Sequence, residues 1–178
     1  MFVTSGILVV LIILIAVVAT YIHSQAVKKI HHHIQSLANF DLSYYRVFNQ
    51  RNAIAIDEKN QQLCLYPNRP APLMLPIKNI VKIELYRNNT QICQASPQQP
   101  LSQHKLEKIF TALTAAENAN KKVKSLSLHI ETLNEPNDHL EIFMLHSIKG
   151  FKESATITDL YQQAIQIFAA INGQFCSN

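Results

Sequence analysis

The chain has 178 residues, of which 48% are hydrophobic, and a formal net charge of +4 at pH 7. This mild charge is spread along the sequence, with no Lys/Arg-rich run and no aromatic stacking motif, so nucleic acid is not an expected partner. There are only three glycines, and neither GxxxxGK(S/T) nor GxGxxG occurs to hold a phosphate.

The first 22 residues predict a transmembrane helix. The run from Phe2 to Ile22 holds no charged side chain, and as a helix it spans about 30 Å, the thickness of a bilayer's hydrocarbon core. A buried core helix is usually shorter and amphipathic, and a signal peptide needs a basic region before its apolar run. Small residues at Ser24 and Ala26 keep a cleaved signal peptide as the alternative. We therefore assign residues 1–22 to an uncleaved helix whose partner is the lipid bilayer.

Lys28 and Lys29 predict the orientation of this helix and are the candidate membrane-surface residues. They follow the apolar run, and no Lys or Arg precedes it. By the positive-inside rule, the N-terminus lies outside and the C-terminal domain lies in the cytoplasm, at the inner membrane.

Residues 23–41 predict a juxtamembrane amphipathic helix that ends near residues 39–41. Within 27–37 this stripe could join copies of the chain as a homo-oligomer, lie on the bilayer surface, or dock on the following domain. The neighbouring histidines His31 to His33 point about 100° apart on a helix, so we predict no metal site there. The apolar stripe consists of Val27, Ile30, Ile34 and Leu37.

A β-rich domain is predicted over residues 42–178. The run Val81–Arg87 alternates strictly between apolar and polar residues, and Asn88-Asn89 suits a two-residue turn with positive φ. A Pro-rich loop from Pro67 to Pro76 is expected at a sheet edge or as a connection. Seven strands are predicted in all: Tyr44–Phe48, Asn52–Asp57, Gln61–Tyr66, Val81–Arg87, Thr90–Gln94, Val123–Leu133 and His139–His146.

Two helices are predicted in this domain from apolar residues at helical spacing. An inserted helix covers about 101–119 and has Ser102 in the position of an N-cap. A C-terminal helix covers about 155–172, with a capping box that opens at Thr156 and with Gly173 just beyond its end. The final predicted strand is apolar on both faces near its end, so the C-terminal helix is expected to cover one side of it.

These elements predict a fold that is mainly β with α: a seven-stranded, partly open antiparallel barrel capped by the C-terminal helix, with one inserted helix. This is the architecture of the pleckstrin-homology (PH) superfold. The segments AIAIDEKNQQLCLY (53–66), IKNIVKIELYRNN (77–89) and SLSLHIETLNEPNDHLEIFML (125–145) resemble the hairpins and strands of small bacterial and phage-borne PH-like proteins. Members of that group often carry a Gly-rich apolar stretch where this chain has the inserted helix. The resemblance implies an adaptor-like protein, and the group's occurrence in mobile elements makes a phage-related role compatible with it.

The leading functional hypothesis is a membrane-anchored cytoplasmic binding module that recruits, or interferes with, an unknown protein partner. Leu73, Met74 and Leu75 in the Pro-rich loop, together with the inserted helix, are the candidate partner contacts. Cys64 and Cys93 lie in strand-like runs, and with Cys176 they form an odd set without a CxxC motif, which favours buried reduced thiols. We predict no catalytic, cofactor or metal-binding residue.

Three other functions are alternatives to this hypothesis. A lipid-headgroup site in the first hairpin would rest on Arg46, Arg51 and Lys59, but acidic Asp57 and Glu58 lie beside them. A hydrolase would need a motif such as HExxH or GxSxG, and none is present. An exported pilin-like subunit also has a long apolar N-terminal helix, but it needs a processing site and a glutamate that this run lacks.

Overall fold

The computed structural model describes residues 2–48, 52–67, 72–115, 122–133, 139–151 and 154–175. The chain divides into two compact units, Met1–Ala38 and Asn39–Asn178. The first is dominated by a single helix, and the second contains all the strands among the described residues.

Helix α1 (Phe2–Gln35) runs without interruption through the predicted boundary at residue 22. The large apolar side chains from Val10 to Ile22 are 47–64% exposed, and the mean hydropathy of the most apolar window is 2.1. This helix is therefore long and apolar enough to cross a membrane. It ends at Gln35, before the predicted 39–41, and a turn leads to Asn39, whose φ of 61° suits the left-handed conformation that asparagine tolerates.

The second unit is built on two four-stranded antiparallel sheets. The first sheet is a meander of β1 (Tyr44–Val47), β2 (Asn52–Asp57), β3 (Gln62–Pro67) and β4 (Leu73–Pro76). The Pro-rich segment therefore supplies an eighth strand at a sheet edge, where prolines are tolerated because one side of the strand lacks a neighbour. Its central residues 68–71 lie outside the described residues.

The second sheet has the order β6-β5-β7-β8 and is not a simple meander. A 3₁₀ turn (Ile77–Asn79) leads into β5 (Ile80–Arg87), which pairs with β6 (Thr90–Ala95) and with β7 (Val123–Thr132). Strand β8 (His139–Phe151) pairs with β7, extends five residues beyond its predicted end, and contacts β2 and β3 of the first sheet. The two sheets share one hydrophobic core.

Helix α3 (Ala155–Phe175) supplies the largest buried side chains of the core, Tyr161 and Phe168, and it packs against β5 and β8. Two predicted details are wrong. The Ser154 side chain, not Thr156, accepts the bond from the first-turn amide of Ile157. The helix also continues through Gly173, because Phe175 beyond it is still buried.

Helix α2 (Gln103–Thr114) lies between β6 and β7 in the chain, as predicted for the inserted helix, and it packs against α3. The end of the predicted range, residues 116–119, falls outside the described residues. Ser102 occupies the N-cap position with an extended backbone, but its side chain makes no cap hydrogen bond.

Candidate functional site

The predicted partner contacts Leu73, Met74 and Leu75 form most of β4. Leu75 is fully buried and pairs in register with Leu63 of β3. Leu73 and Met74 are half-buried, and Leu73 packs against the core. Leu75 therefore serves the core, and partner contact by the other two remains a prediction.

Lys28 and Lys29 lie on α1, and both side chains are exposed. Their exposure is compatible with contact to lipid headgroups. The orientation that they predict remains a prediction.

The first hairpin is held by a buried carboxylate. Asp57 accepts hydrogen bonds from the backbone and side-chain nitrogens of Asn60 (2.8 and 2.7 Å) and from the backbone nitrogen of Asp41 (2.7 Å). Burial acts to raise the pKa of Asp57, but these hydrogen bonds outweigh it and lower the pKa below its usual value. The carboxylate therefore closes the turn after β2. The ammonium of the nearby Lys59 lies 3.4 Å from the carboxylate of Asp41, which precedes β1, so Lys59 is ion-paired.

A groove of about 630 Å³ lies between β6 and α2. Strand β6 contributes Gln91 to Gln94, and the other side is formed by Leu101, Lys105, Lys108 and Ile109. Cys93 is buried and Ile92, Leu101 and Ile109 are half-buried, whereas the two lysines and the two glutamines are exposed. The groove thus has an apolar floor and a polar rim, the usual pattern of a binding cleft.

A two-residue turn positions β6. Asn88 and Asn89 have φ angles of 50° and 63°, as predicted for this turn. The Asn88 side-chain oxygen accepts a hydrogen bond of 2.7 Å from the backbone nitrogen of Lys124, and its amide nitrogen donates one of 2.9 Å to the carbonyl of Lys122. The turn between β5 and β6 is therefore fixed to the start of β7.

A polar clamp from α3 positions the start of α2. The Asn172 side chain is buried; its oxygen accepts a hydrogen bond from the backbone nitrogen of Leu101, and its nitrogen donates one to the carbonyl of Leu101, both at 2.8 Å. Leu106 and Leu113 of α2 are buried in the core. These contacts hold α2 in place as the second wall of the groove.

The outer face of the second sheet carries an ion-pair cluster. The Lys82 ammonium lies 3.0 Å from Glu131 and 3.3 Å from Glu84. The hydrogen bond to Glu131, followed by the interactions with Glu84, raises the pKa of Lys82. Glu131 is therefore not a free carboxylate but part of a cross-strand pair.

Ser127, His129 and Glu141 come together on the same face. The Ser127 hydroxyl and the Glu141 carboxylate each lie 3.0 Å from the same imidazole nitrogen, Nε2 of His129. A catalytic relay needs the nucleophile on one ring nitrogen and the acid on the other. This arrangement therefore does not supply such a relay, and we interpret it as a cross-strand polar contact against which Tyr86 packs.

Two of the three cysteines are buried thiols. Burial raises the pKa of the thiols of Cys64 and Cys93 to about 12, so both stay protonated near neutral pH. Neither forms a disulfide. In the part of the chain that the structure describes, no group of three His, Cys, Asp or Glu side chains could hold a metal ion.

Helix α2 is a contact surface predicted from the sequence, whereas the groove beside it was not predicted. The available signals were Lys105 and Lys108 three residues apart, and a neighbouring strand without proline or charge. Lys105 and Lys108 lie close to β6 because Asn172 holds Leu101 at the start of α2, and Asn172 is 71 residues from Leu101 in the chain. No family model, no curated protein and no solved structure matches this chain.

Proposed function

We propose that the protein is a single-pass, membrane-anchored binding module whose PH-like domain faces the cytoplasm and recruits, or interferes with, a protein partner at the inner membrane of a bacterium. The observation that carries this proposal is α1, whose apolar residues from Val10 to Ile22 are exposed around the helix. Such a surface is stable in hydrocarbon and costly in water.

The β domain supports a binding role rather than a chemical one. Its described side chains form a closed core, cross-strand ion pairs and the groove between β6 and α2. Two antiparallel sheets followed by a C-terminal helix are compatible with a PH-like assignment. The chain departs from the predicted seven-stranded barrel in two ways. It has an eighth strand, and β6 lies at the edge of the second sheet, so that β5 pairs with both β6 and β7.

The orientation rests on Lys28 and Lys29 after the span. Anchoring would raise the local concentration of the domain at the membrane, so that weak contacts with a partner suffice.

Topology mapping tests the location. Two reporters are fused to the C-terminus: alkaline phosphatase, which is active only outside the cytoplasm, and a fluorescent protein that folds in the cytoplasm. We expect fluorescence from the second fusion and no phosphatase activity from the first. The chain should also stay with membranes after alkaline extraction. Phosphatase activity would favour an exported subunit, and recovery of the chain in the soluble fraction would refute the anchor.

Crosslinking in intact membranes tests the binding role. A partner should be recovered with the full chain and not with a control that carries only residues 1–41. If nothing is recovered above this control, the binding role is contradicted even where the topology holds.

A further inference from the structure

The edge of β6 differs from the other three ends of the two sheets. Exposed strand edges can pair with another chain, and proteins usually block them with charges or proline. Strand β1 carries Arg46, β4 ends in Pro76, and β8 carries Glu141 and Lys149. Strand β6 (TQICQA) has neither a charge nor a proline. It is therefore the sheet edge best suited to accept another strand.

The space beside this edge is large enough for such a strand. The groove of about 630 Å³ falls within the range of ligand clefts. Six residues of β6 extend over about 20 Å, at about 3.3 Å per residue. An extended segment lying here would place alternate side chains on the apolar floor of Ile92, Leu101 and Ile109.

The charge of the groove indicates what kind of segment fits. Lys105 and Lys108 are three residues apart on α2, so they share one face of the helix. Among the residues that the structure describes, the groove lining contains no acidic side chain, and Glu107 lies on the opposite side of α2, toward α3. The wall facing β6 is therefore basic.

We propose that the groove between β6 and α2 binds an extended, acidic segment of a partner protein, which adds to β6 as an extra strand. In the described part of the chain β6 pairs only with β5. Backbone hydrogen bonds to its outer edge supply affinity, apolar side chains fill the floor, and acidic side chains pair with Lys105 and Lys108. This inference rests on the proposed function, because it names the surface and the partner class for a binding module.

A second copy of this chain fits the groove less well. Strand β6 contains no acidic residue to pair with the lysines of the opposite copy. Each copy would also contribute Lys105 and Lys108 to the shared groove, and like charges at short distance are unfavourable. Charge complementarity thus favours an acidic partner.

The proposal can be tested by selecting binders from a library of random twelve-residue peptides. The target is the full chain in nanodiscs of uncharged phosphatidylcholine, with empty nanodiscs as the background. The double variant Lys105→Glu/Lys108→Glu reverses the groove's charge. The matched control Lys78→Glu/Lys149→Glu changes the net charge equally at exposed sites outside the groove.

We expect selected peptides to alternate acidic with β-branched or aromatic residues and to lack proline. The affinity of the selected peptides should fall at least tenfold in the groove variant and less than twofold in the control. Binding should also weaken as salt rises from about 50 to 500 mM, because exposed charge pairs are screened. Proline placed in the middle of a selected peptide should abolish binding, because it removes a ladder donor.

Three results would overturn the proposal: no enrichment above empty nanodiscs, enrichment that survives in the groove variant, or tolerance of the central proline. Self-association of the wild-type chain in detergent that is lost in the groove variant would instead assign the groove to a second copy. If the membrane crosslinks of the wild type persist in the groove variant, the binding role stands and only this surface is wrong.

Discussion

The clamp between Asn172 and Leu101 gives the sharpest quantitative prediction. Asn172→Ala removes two hydrogen bonds of 2.8 Å and leaves a backbone donor and a backbone acceptor of Leu101 without this partner. Because Leu101 is only half-buried, water can reach part of this site, and the cost per group lies near the lower end of about 1–3 kcal/mol. We expect the free energy of unfolding to fall by about 2–3 kcal/mol.

For a domain of this size, 1 kcal/mol corresponds to about 4 °C in Tm. The Asn172→Ala variant should therefore melt about 8–12 °C below the wild type, measured by circular dichroism of the full chain in nonionic detergent. Hydrogen exchange should accelerate over α2, because the clamp fixes its start. The matched control Gln162→Ala, an exposed amide on the same helix, should shift Tm by less than about 2 °C.

Asn172→Asp separates the hydrogen bonds from simple packing. The carboxylate can still accept from the Leu101 nitrogen, but it cannot donate to the Leu101 carbonyl, and it is buried as a charge. Protonation restores a donor, so the stability deficit relative to the wild type should shrink as the pH falls toward about 4. The clamp argument is wrong if the deficit of this variant is independent of pH, or if Asn172→Ala behaves like Gln162→Ala.

Three further predictions follow from described contacts. Because the pKa of Asp57 is lowered, this carboxylate stabilises the fold at pH values above the pKa of the unfolded carboxyl, about 3.9, and the stabilisation is lost as the pH falls through the folded pKa. In urea unfolding, Asp57→Asn should lower the free energy of unfolding by about 1–3 kcal/mol at neutral pH and weaken its decrease at acid pH. Asp41→Asn should change this free energy little. Asn88→Ala should destabilise the full chain by about 2–3 kcal/mol in thermal melts, because alanine disfavours the positive φ of the turn and makes no side-chain hydrogen bonds. Asn88→Gly should restore only the stability that comes from the positive φ. Equal losses of stability in the two variants would contradict this prediction. Because the Cys64 thiol is buried, alkylation at about pH 8 should leave it unmodified in the native chain and modify it in urea, as mapped by mass spectrometry. Rapid labelling of the native chain would show that burial does not protect this thiol.

Local patterns in the sequence predicted the elements whose structure is decided locally. The alternation from Val81 to Arg87 became β5, and Asn88-Asn89 adopted the positive φ angles of a tight turn. The apolar stripe near the C-terminus became the buried face of α3. In each case the side-chain period or a turn residue carries the information within a few positions.

Other features depend on burial and were missed for that reason. The prolines left the segment from Pro67 to Pro76 open between a sheet edge and a connection, and the burial of Leu75 beside β3 makes its end an edge strand. Gly173 suggested a helix end, yet α3 continues because Asn172 and Phe175 are buried, which offsets the cost of about 1 kcal/mol for a helical glycine. The pairing of β5 with β7 joins positions from 39 (Arg87 and Leu126) to 52 (Ile80 and Thr132) residues apart and leaves no local signature.

The groove and the predicted anchor would act together. Asn88 and Asn172 fix the two walls before any ligand arrives, so little ordering is required on binding. A short added strand with two exposed charge pairs nevertheless gives modest affinity, because exposed pairs contribute only about 0–1 kcal/mol each. A membrane anchor compensates for this weakness when the partner is confined to the same bilayer, since confinement raises its effective concentration. Removing residues 2–22, the predicted span, should therefore abolish partner capture in cells while leaving the affinity for a free peptide unchanged.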